Sequence, residues 1–349
     1  DILFLKTDYC NFILQCARAI IPTNLKRIRG SGMHITHDIH THNLYSGCCY
    51  DPLANTENCI RKAMELGHTV FGISNHLWDE SVPGASRWYQ GQPISYGAEM
   101  KYAFPERTGE MKLLFGVETE YCGMTDTLGM RAEHASAFDY VLVPHSHLHM
   151  RNFVIAETED VKNCRAEMTQ TLSKVYPELS EATVKKMVSA LQMEDMLPLI
   201  AQPKVDYEQY LTDFLTQSLH SLLHNLEFRR LAAAVPTIIA HPLAPSACGN
   251  AYWRIVRGMD REQLWQCCRE AAGLNVAFDV NLWTFHIQEQ GLEDNPMVDV
   301  MRLAKSAGVK FSFGTDSHTV AGLAEIRHAD AVADAIGLEP DDLCEIVRS

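Results

Sequence analysis

The residues best suited to chemistry in this chain are histidines and acids that close a series of short apolar runs. His40 and His42 stand one residue apart in Asp38-Ile39-His40-Thr41-His42. In an extended strand, residues two apart point to the same side, so the two imidazoles can grip one ion together. A single His-x-His arises by chance. Five further runs end in a comparable way: Ser74-Asn75-His76, Gly116-Val117-Glu118, Pro144-His145-Ser146-His147, Ala240-His241-Pro242 and Gly314-Thr315-Asp316-Ser317-His318. Any one of them is explained by a hydrogen-bonded strand end, but the series points to a shared metal centre. Imidazole with carboxylate suits zinc, manganese or iron, whereas calcium prefers all-oxygen shells. Two or three such ions held within about 4 Å can clamp a phosphoryl group and lower the pKa of a water between them. Neighbouring cations need a shared carboxylate, and Glu118 is the candidate.

The elements that position these residues alternate. Candidate strands fall at residues 33–40, 69–75, 112–121, 140–144, 237–240, 275–281 and 310–314, rich in Val, Ile, Leu and Phe with little alternation, as for strands buried on both faces. Helices at 57–66, 261–272 and 297–307 end at Gly67, Gly273 and Gly308, where a left-handed cap is wanted before the next strand. Helix–Gly–strand repeated in series is the grammar of a parallel sheet with right-handed crossovers. Polar residues at nearly every strand end favour a barrel, where those ends meet around one mouth. Residues 156–234 break the rhythm. Helices are expected there at 161–175, 181–193 and 207–226, as an insertion between the fourth and fifth strands. Packing on the barrel wall is its expected role, with a lid or a dimer surface as alternatives, so a homo-oligomer stays open.

The ordered set His-Thr-His, Ser-Asn-His, Gly-Val-Glu, Pro-His-Ser-His, Ala-His-Pro and Gly-Thr-Asp-Ser-His resembles the PHP (polymerase and histidinol phosphatase) family of metal-dependent phosphoesterases. The resemblance covers roughly residues 33–330 and matches the helical insertion poorly. It implies an α/β fold, a distorted seven-stranded (β/α)7 barrel of the PHP type, with a three-metal site. By motif, it implies that His40, His42, Glu118 and Asp316 hold one ion. Glu118, His241 and one of His145 and His147 hold a second, and His76 and His318 hold the third. His147 matches the family position better, because Leu148 follows it in the same way. The chain departs from the pattern where family members carry His or Asp, six residues after the second His of His-x-His: here stands Cys48, with Cys49 and Asp51 close by. Cys48 as a thiolate ligand, Asp51 reaching in, and a weakly held or absent third ion all stay open, so two or three divalent transition metal ions are expected.

The activity implied is hydrolysis of a small phosphate monoester, histidinol-phosphatase-like by resemblance, with water activated by a di- or trinuclear centre. Glu118, Asp316 and His318 are the candidate catalytic groups. Asn281 ends the sixth strand and points to the same mouth, to bind substrate or cap the strand. Arg151 and Arg229 are candidates for a bidentate phosphate contact, with Arg87 and Arg230 as others. The loop 76–100 carries Trp78, Trp88, Tyr89 and Tyr96, which can wall a pocket or simply pack. His34, His37, His134, His149 and His286 read as surface, core or supporting residues. Two other readings are an amidohydrolase-like barrel acting on an amide or lactone, and a non-catalytic metal-binding protein. Against the first stands the lack of a mid-chain lysine at a strand end to form a bridging carbamate; against the second, a donor set poor in cysteine.

Composition bounds the rest. With 46% hydrophobic and 21% charged residues, the chain can bury a sizeable core. A net charge of −14 repels a phosphate backbone, so duplex nucleic acid is not an expected partner. The eleven cysteines form no Cys-x-x-Cys pair, which reads as reduced thiols in a cytoplasmic protein. An apolar run at 11–21 is broken by Gln15 and Arg18, too short and polar to span a membrane, and no basic segment precedes it as in a signal peptide. Residues 1–32 read as an N-terminal extension and 33–349 as the barrel domain.

Overall fold

The computed structural model describes residues 32–105, 109–191, 193–246 and 248–348; the expected N-terminal extension and its apolar run at 11–21 lie outside the described residues, apart from Gly32. Seven apolar runs form parallel strands paired in chain order: β1 (His37–Asp38), β2 (Val70–Ile73), β3 (Lys112–Glu118), β4 (Tyr140–Val143), β5 (Thr237–Ile239), β6 (Ala277–Asn281) and β7 (Phe311–Gly314). Each lies inside its expected range. β1 is much shorter than 33–40, because from Ile39 onward the backbone turns to the last strand instead. Ile39 N–H donates to Phe313 O (3.2 Å), Asp316 N–H to His40 O (2.7 Å) and His42 N–H to Ser317 O (2.9 Å). These bonds close the sheet into a (β/α)7 barrel, and they tie the two richest donor motifs to each other.

β2, β4 and β7 are buried along their whole length, which is why their sequences are continuous rather than alternating. One side of the sheet gathers Ile39, Val70, Leu114, Tyr140, Leu142 and Ile238, with Val347 of the C-terminal tail packed among them. Tyr140 crosses this layer and donates to Ile39 O (2.6 Å). Gly116 of β3 makes room for it, since a Cβ there would run into the Tyr140 ring.

Two of the three glycine-marked helix ends follow the sequence. α1 (Thr56–Glu65) is followed by Gly67 at φ +79°, and α8 (Pro296–Ser306) by Gly308 at φ +94°. α7 (Arg261–Gly273) instead runs through Gly273, and Asn275 takes the left-handed conformation at φ +56°, which asparagine tolerates better than most residues. Within the insertion lie α2 (Glu159–Val175), α3 (Glu181–Ala190), α4 (Tyr207–His224) and α5 (Leu226–Ala234). The single helix expected over 207–226 breaks at Asn225, whose extended backbone ends α4 and whose side chain accepts from Phe228 N–H (3.0 Å) to cap α5. The stripe Leu211, Leu215, Leu219 and Leu222 of α4 is wholly buried, against α7 and α6 (Tyr252–Gly258). Ser218 of that helix donates to His145 O (3.1 Å), so the insertion braces the end of β4.

Two buried histidines make the barrel acid-sensitive. His37 Nε2 accepts from Phe313 N–H (3.0 Å), which only the neutral ring can do. Burial, aided by nearby His68, drives the His37 pKa down to about 3, and burial drives His68 down to about 4. The unfolded chain takes up protons near the ordinary value of about 6.5 that the folded chain refuses. Stability therefore falls as pH drops below about 6.5, by about 1.4 kcal/mol per pH unit for each such histidine, until the folded rings protonate in turn. His37→Gln keeps an acceptor for the Phe313 N–H and should remove about 2 kcal/mol of the loss between pH 7 and pH 5 in urea unfolding. An unchanged pH dependence would show that His37 is not the group responsible.

Candidate metal centre

The strand ends, with Cys48 of the loop after β1, bring together His40, His42, Cys48, His76, Glu118, His147, His241, Asp316 and His318. Four overlapping donor groups form: His40, His42 and Glu118; His40, His241 and Asp316; Glu118, His147 and His241; and His42, Cys48, His76 and His318. Within each group the donor atoms lie within 4.8 Å of one another. The close approach of β7 to the first motif depends on Gly314, where a Cβ would collide with that of His40.

Glu118 sits at the centre, 1% exposed. Its Oε2 lies 3.3 Å from His40 Nε2, 3.3 Å from His42 Nε2 and 3.4 Å from His76 Nε2. Its Oε1 faces the other way, 3.3 Å from His241 Nε2 and 4.0 Å from His147 Nε2. Burial alone would raise its pKa, but the imidazoles of His76, His40 and His241 outweigh burial and hold the carboxyl well below its ordinary value. Asp316 is depressed in the same way, burial being overcome by His40, His42 and His318.

Does this donor set fit metal ions? Among the described residues, both ring nitrogens of His42 and Oε1 of Glu118 have no hydrogen-bond partner, and all three atoms are buried. His42 Nε2 is only 3.1 Å from Asp316 Oδ1, yet the angles make no hydrogen bond with it. Buried polar atoms are rarely left so, and an ion is one accepted reason. The backbone is strained at the same place: His241 and Asp316 have φ of +30° and +53°. Conformations of this kind cost about 1–3 kcal/mol each in a residue other than glycine and persist where the surroundings enforce them. The residues present fit metal.

Supporting groups orient the rings, and among them Asp279, Glu120 and Trp283 have no place in the sequence-based expectations. Asp279 Oδ2 lies 2.7 Å from His40 Nδ1, which leaves Nε2 to face Glu118. Glu120 Oε2 lies 2.7 Å from His147 Nδ1 and accepts from the Tyr89 hydroxyl (3.3 Å). Trp283 Nε1 (3.0 Å) and Asn281 Nδ2 (3.3 Å) both donate to Asp316 Oδ2, which leaves Oδ1 to the histidines. The period of two that flagged His-x-His would have found Glu120 beside Glu118 and Asp279 beside Asn281. No local signal marks Trp283. Carboxylates behind metal-ligating histidines fix the ring and its tautomer, and losing one typically weakens metal binding 10–100-fold. Asp279→Asn should therefore weaken zinc binding by about that factor in a competitive chelator titration; unchanged affinity would make Asp279 a packing residue only.

Other expectations are redistributed. His145 Nε2 accepts from Leu243 N–H (3.2 Å), behind His147. The carboxylate of Asp51 accepts from Leu53 and Val320 N–H groups (2.9 and 3.0 Å), so it ties two loops and does not reach the donors. Asn281 Nδ2 donates to Asp316, while its Oδ1 is buried with no hydrogen-bond partner among the described residues. Arg151 is spent on Glu157 and on the carbonyls of Ser189 and Leu191 at the end of α3, and Arg229 on Glu270 and Leu223 O. Neither guanidinium is directed to the cluster, because each neutralises an acid and caps carbonyls in the helical layer. Arg230 pairs with Glu227, and Arg87 is exposed beside Trp88. In the loop after β2, Trp78 is buried packing against Tyr89 and Phe153, while Tyr89 OH reaches His76 Nδ1 (3.3 Å). Trp88, 36% exposed, meets the His76 ring edge-on at 5.1 Å and so borders the mouth; Tyr96 is exposed. His34 and His134 pair with Asp330 and Asp79, His286 packs against Tyr252 and Trp253, and the His149 ring lies 5.1 Å from that of His147.

No family model and no curated protein matches the chain. Among solved structures, it is similar to a histidinol phosphate phosphatase from Lactococcus lactis subsp. lactis Il1403 in complex with zinc, L-histidinol and phosphate, at 14% identity over 87% of this chain and 94% of that one, with a TM-score of 0.48. It is also similar to a D-hydantoinase, at 11% identity over 81% of this chain and 57% of that one (TM-score 0.35), and to the D-hydantoinase of Bacillus sp. AR9, at 11% over 80% and 58% (TM-score 0.34). The chain spans somewhat over half the length of those hydantoinases.

Proposed function

We propose that this chain is a metal-dependent hydrolase of a small phosphate monoester, with two or three divalent ions of the zinc, manganese or iron kind at the barrel mouth. The observation that carries the reading is Glu118: its two oxygens face two different imidazole groups, as a carboxylate shared between neighbouring cations must. His40, His42 and Asp316 would hold one ion with Glu118, His147 and His241 would hold a second with it, and Cys48, His76 and His318 border the remaining position. When bound, such ions supply Lewis acidity to phosphoryl oxygens and make water acidic enough to be a nucleophile near neutral pH.

The chain's own residues set the geometry. Asp279 and Glu120 lock the rings of His40 and His147, and Trp283 with Asn281 fixes which oxygen of Asp316 faces the cluster. Trp88 and Trp283, each 36% exposed, stand beside His76 and His241 and offer flat apolar walls to a leaving group. The net charge of −14 makes the cluster the place for an anionic substrate only when cations occupy it. Among the described residues no helix is long and apolar enough to cross a membrane, and a small phosphorylated metabolite is the substrate class proposed.

The test is a panel of phosphate monoesters with amide and lactone substrates beside them, run on protein loaded with zinc, manganese or iron. Phosphate release from at least one monoester supports the reading. Turnover confined to acyl substrates would assign the barrel to amide or lactone hydrolysis, and metal-loaded protein inert on both arms would make it a binding protein.

A further inference from the structure

His76 and His147 belong to different ion positions, yet both lead back to one oxygen outside the cluster. Glu120 Oε2 lies 2.7 Å from His147 Nδ1 and accepts from the Tyr89 hydroxyl (3.3 Å), and that hydroxyl lies 3.3 Å from His76 Nδ1. Proton counts set the direction of each bond. An ionised carboxylate only accepts, so His147 carries a proton on Nδ1. The phenol has one proton to give, and a charged oxygen is the stronger of its two acceptors. That proton goes to Glu120, so toward His76 the phenol oxygen accepts, and His76 also carries its proton on Nδ1. Both rings are left with a bare Nε2 turned to Glu118, 3.4 Å from Oε2 for His76 and 4.0 Å from Oε1 for His147.

The surroundings hold the phenol without help from its hydroxyl. Tyr89 and Glu120 are fully buried, so solvent does not compete for these bonds. The Tyr89 ring packs at 5.4 Å against Trp78 and 6.1 Å against Phe153, and its backbone N–H donates to Ser86 Oγ (3.2 Å). Trp78 N–H donates to Gln92 O (2.8 Å) and Ile94 N–H to Trp78 O (2.8 Å), which closes the loop around it. Tyr89→Phe therefore keeps the packing and removes only the bond to each side.

We propose that Tyr89 is a positioning residue that passes the acceptor of Glu120 on to His76, so that one buried carboxylate fixes the tautomer of ligands at two ion positions. This rests on the metal-centre reading above. The two residues then have different reach. Loss of the phenol hydroxyl frees the His76 ring alone, whereas loss of the Glu120 charge frees His76 and His147 together.

The test compares full-length wild type, Tyr89→Phe and Glu120→Gln, each stripped and reloaded with zinc. Zinc affinities come from competitive chelator titration. Ring protonation comes from long-range proton–nitrogen NMR of histidine-labelled protein, with signals assigned by single histidine substitutions. In wild type His76 and His147 should both show a protonated Nδ1 and a bare Nε2. Tyr89→Phe should weaken one ion about tenfold and move the Nδ1 signal of His76 but not that of His147. Glu120→Gln should weaken two ions about 10–100-fold and move both signals. Should Glu120→Gln fail to fold by circular dichroism, the same two readings on Tyr89→Phe decide. A wild-type His76 with its proton on Nε2, a Tyr89→Phe variant with wild-type affinities and an unmoved His76 signal, or a folded Glu120→Gln variant weakened at a single ion would overturn this inference and leave the metal-centre reading standing. Wild type that binds no zinc would overturn both.

Discussion

Replacing Glu118 with glutamine should abolish turnover while leaving the barrel folded. Glutamine has the same shape and keeps an oxygen for the surrounding imidazoles, so packing at this fully buried position is retained. What it loses is the charge, which sits within 3.3–3.4 Å of His40, His42 and His76 through one oxygen and 3.3 Å from His241 through the other. Stabilisation of transition-state charge by bound ions is worth several kcal/mol. At tenfold per about 1.4 kcal/mol, losing it corresponds to a rate reduction on the order of 10³-fold or more. Circular dichroism and metal content, measured beside the rate on any monoester the wild type hydrolyses, separate loss of function from loss of fold. A variant with near-normal rates would rule out the bridging role.

Exhaustive chelation should lower the melting temperature together with the activity. Among the described residues, both nitrogens of His42 and one oxygen of Glu118 are buried without a hydrogen-bond partner, and an ion bound there would satisfy them only in the folded chain. A ligand that binds the folded state alone stabilises it by about 4 kcal/mol at a thousandfold excess over its dissociation constant. For a chain of this size that is a shift on the order of 10 °C. Zinc should restore both the melting temperature and the activity, and calcium should restore neither, because imidazole-rich sites serve it poorly. A melting temperature indifferent to chelator and to zinc would mean that the donors hold no ion.

Much of this architecture is written locally. Runs such as Val70–Ile73 and Tyr140–Val143 are apolar without alternation because both faces are covered, and that pattern identifies them as strands of a parallel sheet. Gly67 and Gly308 mark helix ends because a left-handed residue needs no partner from elsewhere in the chain. The break at Asn225 was missed because a helical stripe continues across it. Only the docking of α4 and α5 on different neighbours requires the chain to turn there. The donors themselves were legible, since a histidine or acid at a strand end is a local fact repeated in six places.

What the sequence determined by itself was the inventory: which side chains are able to ligate by type, that most of them end parallel strands, and that a parallel barrel sends such ends to one mouth. What only the tertiary structure decided was the partnership. Residues far apart in the chain share Glu118, with His147 rather than His145 facing it; Cys48 stands among three imidazoles while Asp51 turns to backbone amides; and Arg151 and Arg229 are spent in the helical layer. The physical reason is range. Strand and helix patterns arise from forces between near neighbours, which leave a period in the sequence, whereas contacts between distant segments are set by barrel closure and leave none.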